Sequence, residues 1–234
     1  MALTDQCAAF YDFSEGAGLT TADATGNGND LTWGGSALTT QWAVGEVGGG
    51  AQFSSSSSQY LTSGSTSNLD VSTGDLTIAG WIWMNSAGTG MSLGGKRSGG
   101  NGYNLRVETG HVRAVAVGSS GTTVFYSTGS ITSQTWTHIA MTRAGSVVSL
   151  YINGAVDSSS TLALGSLSNS IPFELGRADQ GTIYWEGVLD EVGVWTRTLS
   201  GAEITALAGE TTVYPWGLYS GGIGGSLPLM GVGS

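Results

Sequence analysis

Nine residues in the first half of the chain carry the strongest constraint. Leu76, Ile78, Gly80, Ile82 and Met84 alternate with Thr77, Ala79, Trp81 and Trp83. That repeat of two is the period of an extended strand, with one set of side chains on each face. Similar segments fall near residues 6–13, 31–33, 50–54, 59–62, 103–107, 112–117, 122–128, 136–143, 148–156, 171–176 and 187–196. Turn residues separate them, and Asn153-Gly154 between two such runs is the favoured type I′ hairpin pair. Many short strands must bury their apolar faces against one another, so the expectation is one compact all-β domain. One helix is predicted over residues 200–209. Ser200 and Glu203 have capping-box spacing, Ile204 and Leu207 share a face, and Gly209 terminates it.

Composition removes the competing classes. Gly, Ser and Thr fill about 42% of the 234 positions, only 10% are charged, and Lys96 is the single lysine. Long helical bundles draw on Ala, Glu, Lys and Leu, and disordered chains need high charge and few aromatics, whereas this chain has eight Trp and eight Tyr. No apolar run approaches the 18 or so residues that span a bilayer. Seven basic against 17 acidic residues leave a net charge of −10, so nucleic acid and anionic membrane surfaces are poor partners. The lone Cys7 has no disulfide partner and reads as a small core residue. Met1 is followed by Ala-Leu-Thr-Asp-Gln, without a basic stretch or an apolar h-region. The expectation is a chain used without Sec export, or one whose signal has been removed.

The order of motifs resembles a known family. Phe10-Tyr-Asp-Phe-Ser-Glu-Gly-Ala-Gly18 is followed by Asp23-Ala-Thr-Gly-Asn-Gly-Asn29, then Gly50-Ala-Gln-Phe53, Tyr60-Leu61 and Leu76-Thr-Ile-Ala-Gly-Trp81. Trp136-Thr-His-Ile-Ala-Met-Thr142, Val148-Ser-Leu-Tyr-Ile-Asn-Gly154 and Phe173-Glu-Leu-Gly176 come next. Gly187-Val-Leu-Asp-Glu-Val192 and Trp195-Thr-Arg-Thr-Leu-Ser200 close the series. Over residues 6–209 this resembles the laminin-G-like, concanavalin A-like lectin/glucanase modules. The resemblance implies a jelly roll of two antiparallel sheets with one short C-terminal helix. The expected organisation is therefore a domain over 1–209 and an extended arm over 210–234.

The resemblance also implies a structural calcium between the early Asp/Asn loop and the acidic pair of the last strand. Here those positions are Asp23, Asn27 and Asn29 with Asp190. The loop itself imitates the start of an EF-hand but has Gly34 where the bidentate Glu belongs. The competing reading is that Asp and Asn cap a glycine turn through backbone bonds. Trp81, Trp136 and His138 match core positions of the family.

Catalysis finds little support. Hydrolysis of a glycosidic bond needs two carboxylates held across it, and Asp190 and Glu191, adjacent on a strand, are expected on opposite faces. No Gly-x-Ser-x-Gly elbow and no Cys/His cluster occur. The stretch Gly94-Gly-Lys-Arg-Ser-Gly-Gly100 lacks phosphate-loop spacing and reads as a loop. Binding remains, with aromatic platforms for sugar faces. Trp33, Trp42 and Trp185 sit beside turns, and Trp83 and Trp185 are the ligand-binding candidates.

After Glu210 no charge occurs, and Tyr214, Trp216, Leu218, Tyr219, Leu227 and Leu229 are interspersed with seven glycines. Such an arm either lies on a partner or folds back over its own domain. Two functions follow. One is a non-catalytic phage virion accessory protein, decorating a capsid or tail, oligomeric by analogy and able to contact host glycans. The other is a carbohydrate-binding or adhesion module of an extracellular or bacterial surface protein.

Overall fold

The structure is a computed structural model that describes residues 2–39, 41–64, 68–86, 90–97, 99–178 and 181–209. The arm positions named above, from Tyr214 to Leu229, lie outside the described residues. In chain order the strands begin with β1 (Cys7–Tyr11), β2 (Thr20–Thr21), β3 (Leu31–Gly34), β4 (Trp42–Val44), β5 (Gly49–Phe53) and β6 (Tyr60–Ser63). There follow β7 (Leu76–Met84), β8 (Met91–Lys96), β9 (Gly102–Glu108), β10 (His111–Gly118), β11 (Gly121–Ser130) and β12 (Thr137–Ala144). The last are β13 (Val147–Ile152), β14 (Ala155–Thr161), β15 (Glu174–Leu175), β16 (Arg177–Ala178), β17 (Ile183–Tyr184) and β18 (Gly187–Trp195), before helix α1 (Gly201–Gly209).

Two eight-stranded antiparallel sheets face each other. The first runs β14-β13-β12-β7-β18-β5-β4, with β1 also paired to β18; the second runs β11-β10-β9-β8-β15-β6-β3-β2. β16 and β17 form a separate small hairpin. The alternation in β7 holds: Leu76, Ile78, Ile82 and Met84 join the core between the sheets, with Tyr11, Phe53, Leu105 and Phe173. Ala79, on the other face, packs into a second cluster with Phe10, Ala140, Trp195, Ile204 and Leu207, which docks α1 on the outside of the first sheet. Cys7 is buried in that cluster, and burial pushes its thiol well above its ordinary range.

Local chemistry explains the turns and caps. Asn153 and Gly154 both take positive φ, 48° and 82°, as a type I′ turn requires. The Ser200 amide donates to Glu203 Oε2 at 2.8 Å and the Glu203 amide donates to Ser200 Oγ at 3.3 Å, completing the capping box. Arg197 binds the same carboxylate at 2.7 Å and donates to the Ala2 and Asp5 carbonyls, tying the helix to the N-terminal segment.

Two expectations fail. The glycine-rich run at 94–100 is not all loop, because Met91–Lys96 is a buried central strand. Side chains at Gly94 and Gly95 would collide with Leu175 and the Tyr103 carbonyl, so glycine there lets β15 and β9 close on β8. The second concerns Asp190 and Glu191. The register shifts between Asp190 and Gly193, and Glu191 sits at φ 47°. Leu189 and Val192 both enter the core, so strict alternation does not separate the two acids.

Candidate functional site

The outer face of the first sheet carries a pair of half-buried aromatic rings that includes a predicted site residue. Trp83 leaves β7 away from the core and is half-buried. The pairing of Thr137 with Ile82 brings Trp136, just before β12, beside it, and the rings meet at 5.8 Å and 57°. Across the other edge of β7, Trp83 is opposite Val188, and Val188 is opposite Gln52 on β5. The row Gln52–Val188–Trp83–Trp136 therefore crosses four strands. At about 4.8 Å per strand it is about 14 Å long, the span of a short oligosaccharide. It offers apolar faces for sugar rings and one half-buried amide for hydroxyls.

Trp136 is a correction to its expected core role, since it stands at the lip of the sheet and is half-buried. Trp185 is a correction in the other sense. It is 0% exposed and belongs to the core between the sheets, so it presents no face to a ligand. The turn beside it aims the ring inward, because the Trp185 amide donates to the Gly176 carbonyl at 2.8 Å. Trp81 is buried and packs its ring edge-on with His138, at 5.4 Å and 75°. Burial pushes the His138 imidazole down to about 3.

The expected calcium donors fall into two groups. Asp23 Oδ1 accepts from the Phe10 and Thr25 amides and the Thr25 hydroxyl, and Oδ2 accepts from the Asn29 amide and Nδ2. Asn27 turns its Nδ2 onto the Cys7 and Ala8 carbonyls, so it acts as a clamp on β1. Asn29 is 1% exposed and its Oδ1 is buried without a hydrogen-bond partner. A carboxylate beside a spare carbonyl-type oxygen fits a hard cation, so Asp23 and Asn29 could hold calcium. Asp190 belongs elsewhere. It accepts from the Val47 and Glu191 amides at 2.8 Å beside the turn at 45–48. Burial raises it to about 7, with the charge of Asp12 adding to the effect. Asp12 is the neighbour that sequence reasoning missed. Its signal was the pairing of Tyr11 with Val192, visible only once β1 lies on β18. Among the described residues no group of three or more His, Cys, Asp and Glu side chains is arranged to hold a metal ion.

Two antiparallel sheets, a helix docked outside one of them and aromatic rings on an outer face define a lectin-type jelly roll. The chain belongs to the concanavalin A-like lectin/glucanases superfamily, whose family model matches residues 54–205. No curated protein sequence matches it. Solved structures with the same fold include the binding domain of Paraclostridial Mosquitocidal Protein 1, at 17% identity and TM-score 0.72 over 88% of this chain and 52% of that one. Domain 4 of AbnA, a GH43 extracellular arabinanase from Geobacillus stearothermophilus in complex with arabinotriose, gives 21% identity and TM-score 0.70. It covers 87% of this chain and 98% of that domain. The botulinum neurotoxin serotype D ligand binding domain in complex with N-acetylneuraminic acid gives 14% and 0.62, over 88% and 51%. The chain spans about half the length of the toxin domains it matches. Among the described residues no helix is long and apolar enough to cross a membrane.

Proposed function

We propose that this chain is a non-catalytic carbohydrate-binding module that takes a short glycan across the row Gln52–Val188–Trp83–Trp136. The half-exposed Trp83–Trp136 pair carries the reading. Neighbours in complex with arabinotriose and with N-acetylneuraminic acid support it, and the first, a domain of an extracellular arabinanase, fits a secreted or surface setting. A glycan array tests it. Trp83→Ala and Trp136→Ala are each expected to weaken binding at least tenfold with unchanged circular dichroism. Wild-type affinity in both would remove the platform.

A virion accessory role is the second reading, favoured by the apolar, uncharged residues 211–234. In that setting the arm anchors the protein on other virion subunits while the jelly roll contacts host glycans. Deleting 211–234 should then abolish incorporation into particles and leave array binding intact. Incorporation of the truncated chain at the wild-type level counts against the anchor.

A structural calcium at Asp23 and Asn29 is part of the same proposal and rests on the spare Asn29 Oδ1. Exhaustive dialysis against EDTA should lower the melting temperature, and added Ca²⁺ should restore it. An unchanged melting temperature excludes the ion.

A further inference from the structure

A second feature lies beyond the Gln52 end of the Trp83 row, where the two sheets end. β4 closes one sheet and β2 the other, and a cleft of about 320 Å³ opens between the residues that flank them. One wall is the backbone of residues 16–18, another is Leu38, and Leu19, 49% exposed, stands at the rim.

Trp42 is held rigidly in this cleft. Its indole N–H donates to the Gly18 carbonyl at 3.1 Å, and its ring meets Trp33 edge-on at 6.2 Å and 83°. Trp33 in turn rests on Phe53 at 4.7 Å. The ring that lines the cleft is thus fixed before any ligand arrives, which lowers the entropy cost of binding.

Gln41 supplies the polar part. It is only 3% exposed and lines the cleft, yet among the described residues its side-chain amide makes no hydrogen bond. Its backbone carbonyl is spoken for, accepting from the Gln52 amide at 2.7 Å. The amide's polar atoms are not sealed from solvent, so its donor and acceptor are both open to the hydroxyls of a ligand in the cleft. Among the described residues no charged side chain lines the cleft, and the net charge of −10 disfavours an anion.

We infer that this cleft is a binding site for the end of a neutral saccharide, with Trp42 and Leu19 against the apolar side of a sugar ring and Gln41 paired to its hydroxyls. The volume lies at the lower end of ligand pockets and suits one or two rings. The inference rests on the carbohydrate-binding reading but not on the Trp83 face.

The test uses the full chain titrated calorimetrically with arabinotriose, lactose, chitotriose and, as the anionic contrast, sialyllactose. A neutral sugar is expected to bind better than sialyllactose. Gln41→Leu, which removes the amide at similar volume, and Leu19→Glu, which puts a charge at the rim, should each weaken that binding at least tenfold with unchanged circular dichroism. Because Leu19 is exposed, its variant keeps the test valid if Gln41→Leu fails to fold. Wild-type affinity in the folded variants overturns the cleft. If Trp83→Ala then still weakens binding, the proposed function stands without it. Loss of binding in the cleft variants alone supports the cleft and removes the platform. A wild-type chain that binds none of the four sugars overturns both.

Discussion

Trp195→Ala is expected to lower stability by about 3–5 kcal/mol, the range for removing a large buried aromatic side chain. Trp195 is 0% exposed, meets Phe10 edge-on at 6.4 Å, and donates its indole N–H to the Leu3 carbonyl at 2.7 Å. It also lies over Gly193, where any side chain would strike its ring. Truncation leaves a cavity in the cluster that holds α1 through Ile204 and Leu207 and encloses Cys7. The melting temperature should fall by about 10 °C or more for a domain of this size. The Cys7 thiol, closed off in the native protein, should also become reactive to a thiol reagent. A shift below about 3 °C with Cys7 still protected would show that the second cluster does not anchor the helix.

The second large effect is hidden in the native protein because two buried groups act with opposite sign. Asp190 and His138 flank Trp81 on adjacent strands, both paired with it in register. Asp190 is raised from 3.8 to about 7, so the native state holds a proton that the unfolded chain has lost, and stability falls as pH rises from about 4 to 7. His138 is lowered from 6.5 to about 3, so the unfolded chain takes up a proton first, and stability rises over about pH 3 to 6.5. Each shift corresponds to on the order of 4 kcal/mol, and the two largely offset each other.

Asp190→Asn should therefore leave a protein whose stability climbs steeply between pH 4 and 6.5. His138→Gln should leave one whose stability declines over the same window. Asp12, Glu46 and Glu191 are the other acids near Asp190. Denaturant melts at pH 4, 5.5 and 7 in metal-free buffer read the slopes directly. Variants with the pH profile of the wild type would show that neither group is held out of its ordinary range. Glu203 adds a separate acid-side loss. Arg197 holds its carboxyl at about 2, so its contribution is present above about pH 4.5 and disappears as pH falls through about 2.

Much of this molecule is legible along the chain because its signals are local. Period two in residues 76–84, Asn153-Gly154 as a turn and Ser200 with Glu203 as a cap each depend on neighbours within a few positions. Strand and helix boundaries followed from them, and so did the family, since its motifs recur in order. The strand at 91–96 escaped because Gly94 and Gly95 have no local strand preference. Their use is to let Leu175 and Tyr103 approach, which is a fact about β15 and β9.

Sites depend on partners far away in sequence, and there the chain alone was a poor guide. Trp83 on its strand and Trp185 beside a turn were equal ligand-binding candidates, but the sandwich leaves one half-exposed and closes over the other. Asp190 was paired with Asp23 by motif order, whereas the folding of β1 onto β18 gives it Asp12 and the turn at 45–48. Gln41 and Trp42 carried no motif; only the meeting of two sheet ends makes them the walls of a cleft. The sequence by itself determined the period, the turns and hence an all-β chain, because backbone geometry is set over a few residues. Tertiary structure alone decided which rings and carboxylates face solvent, because burial is a property of the whole packed chain.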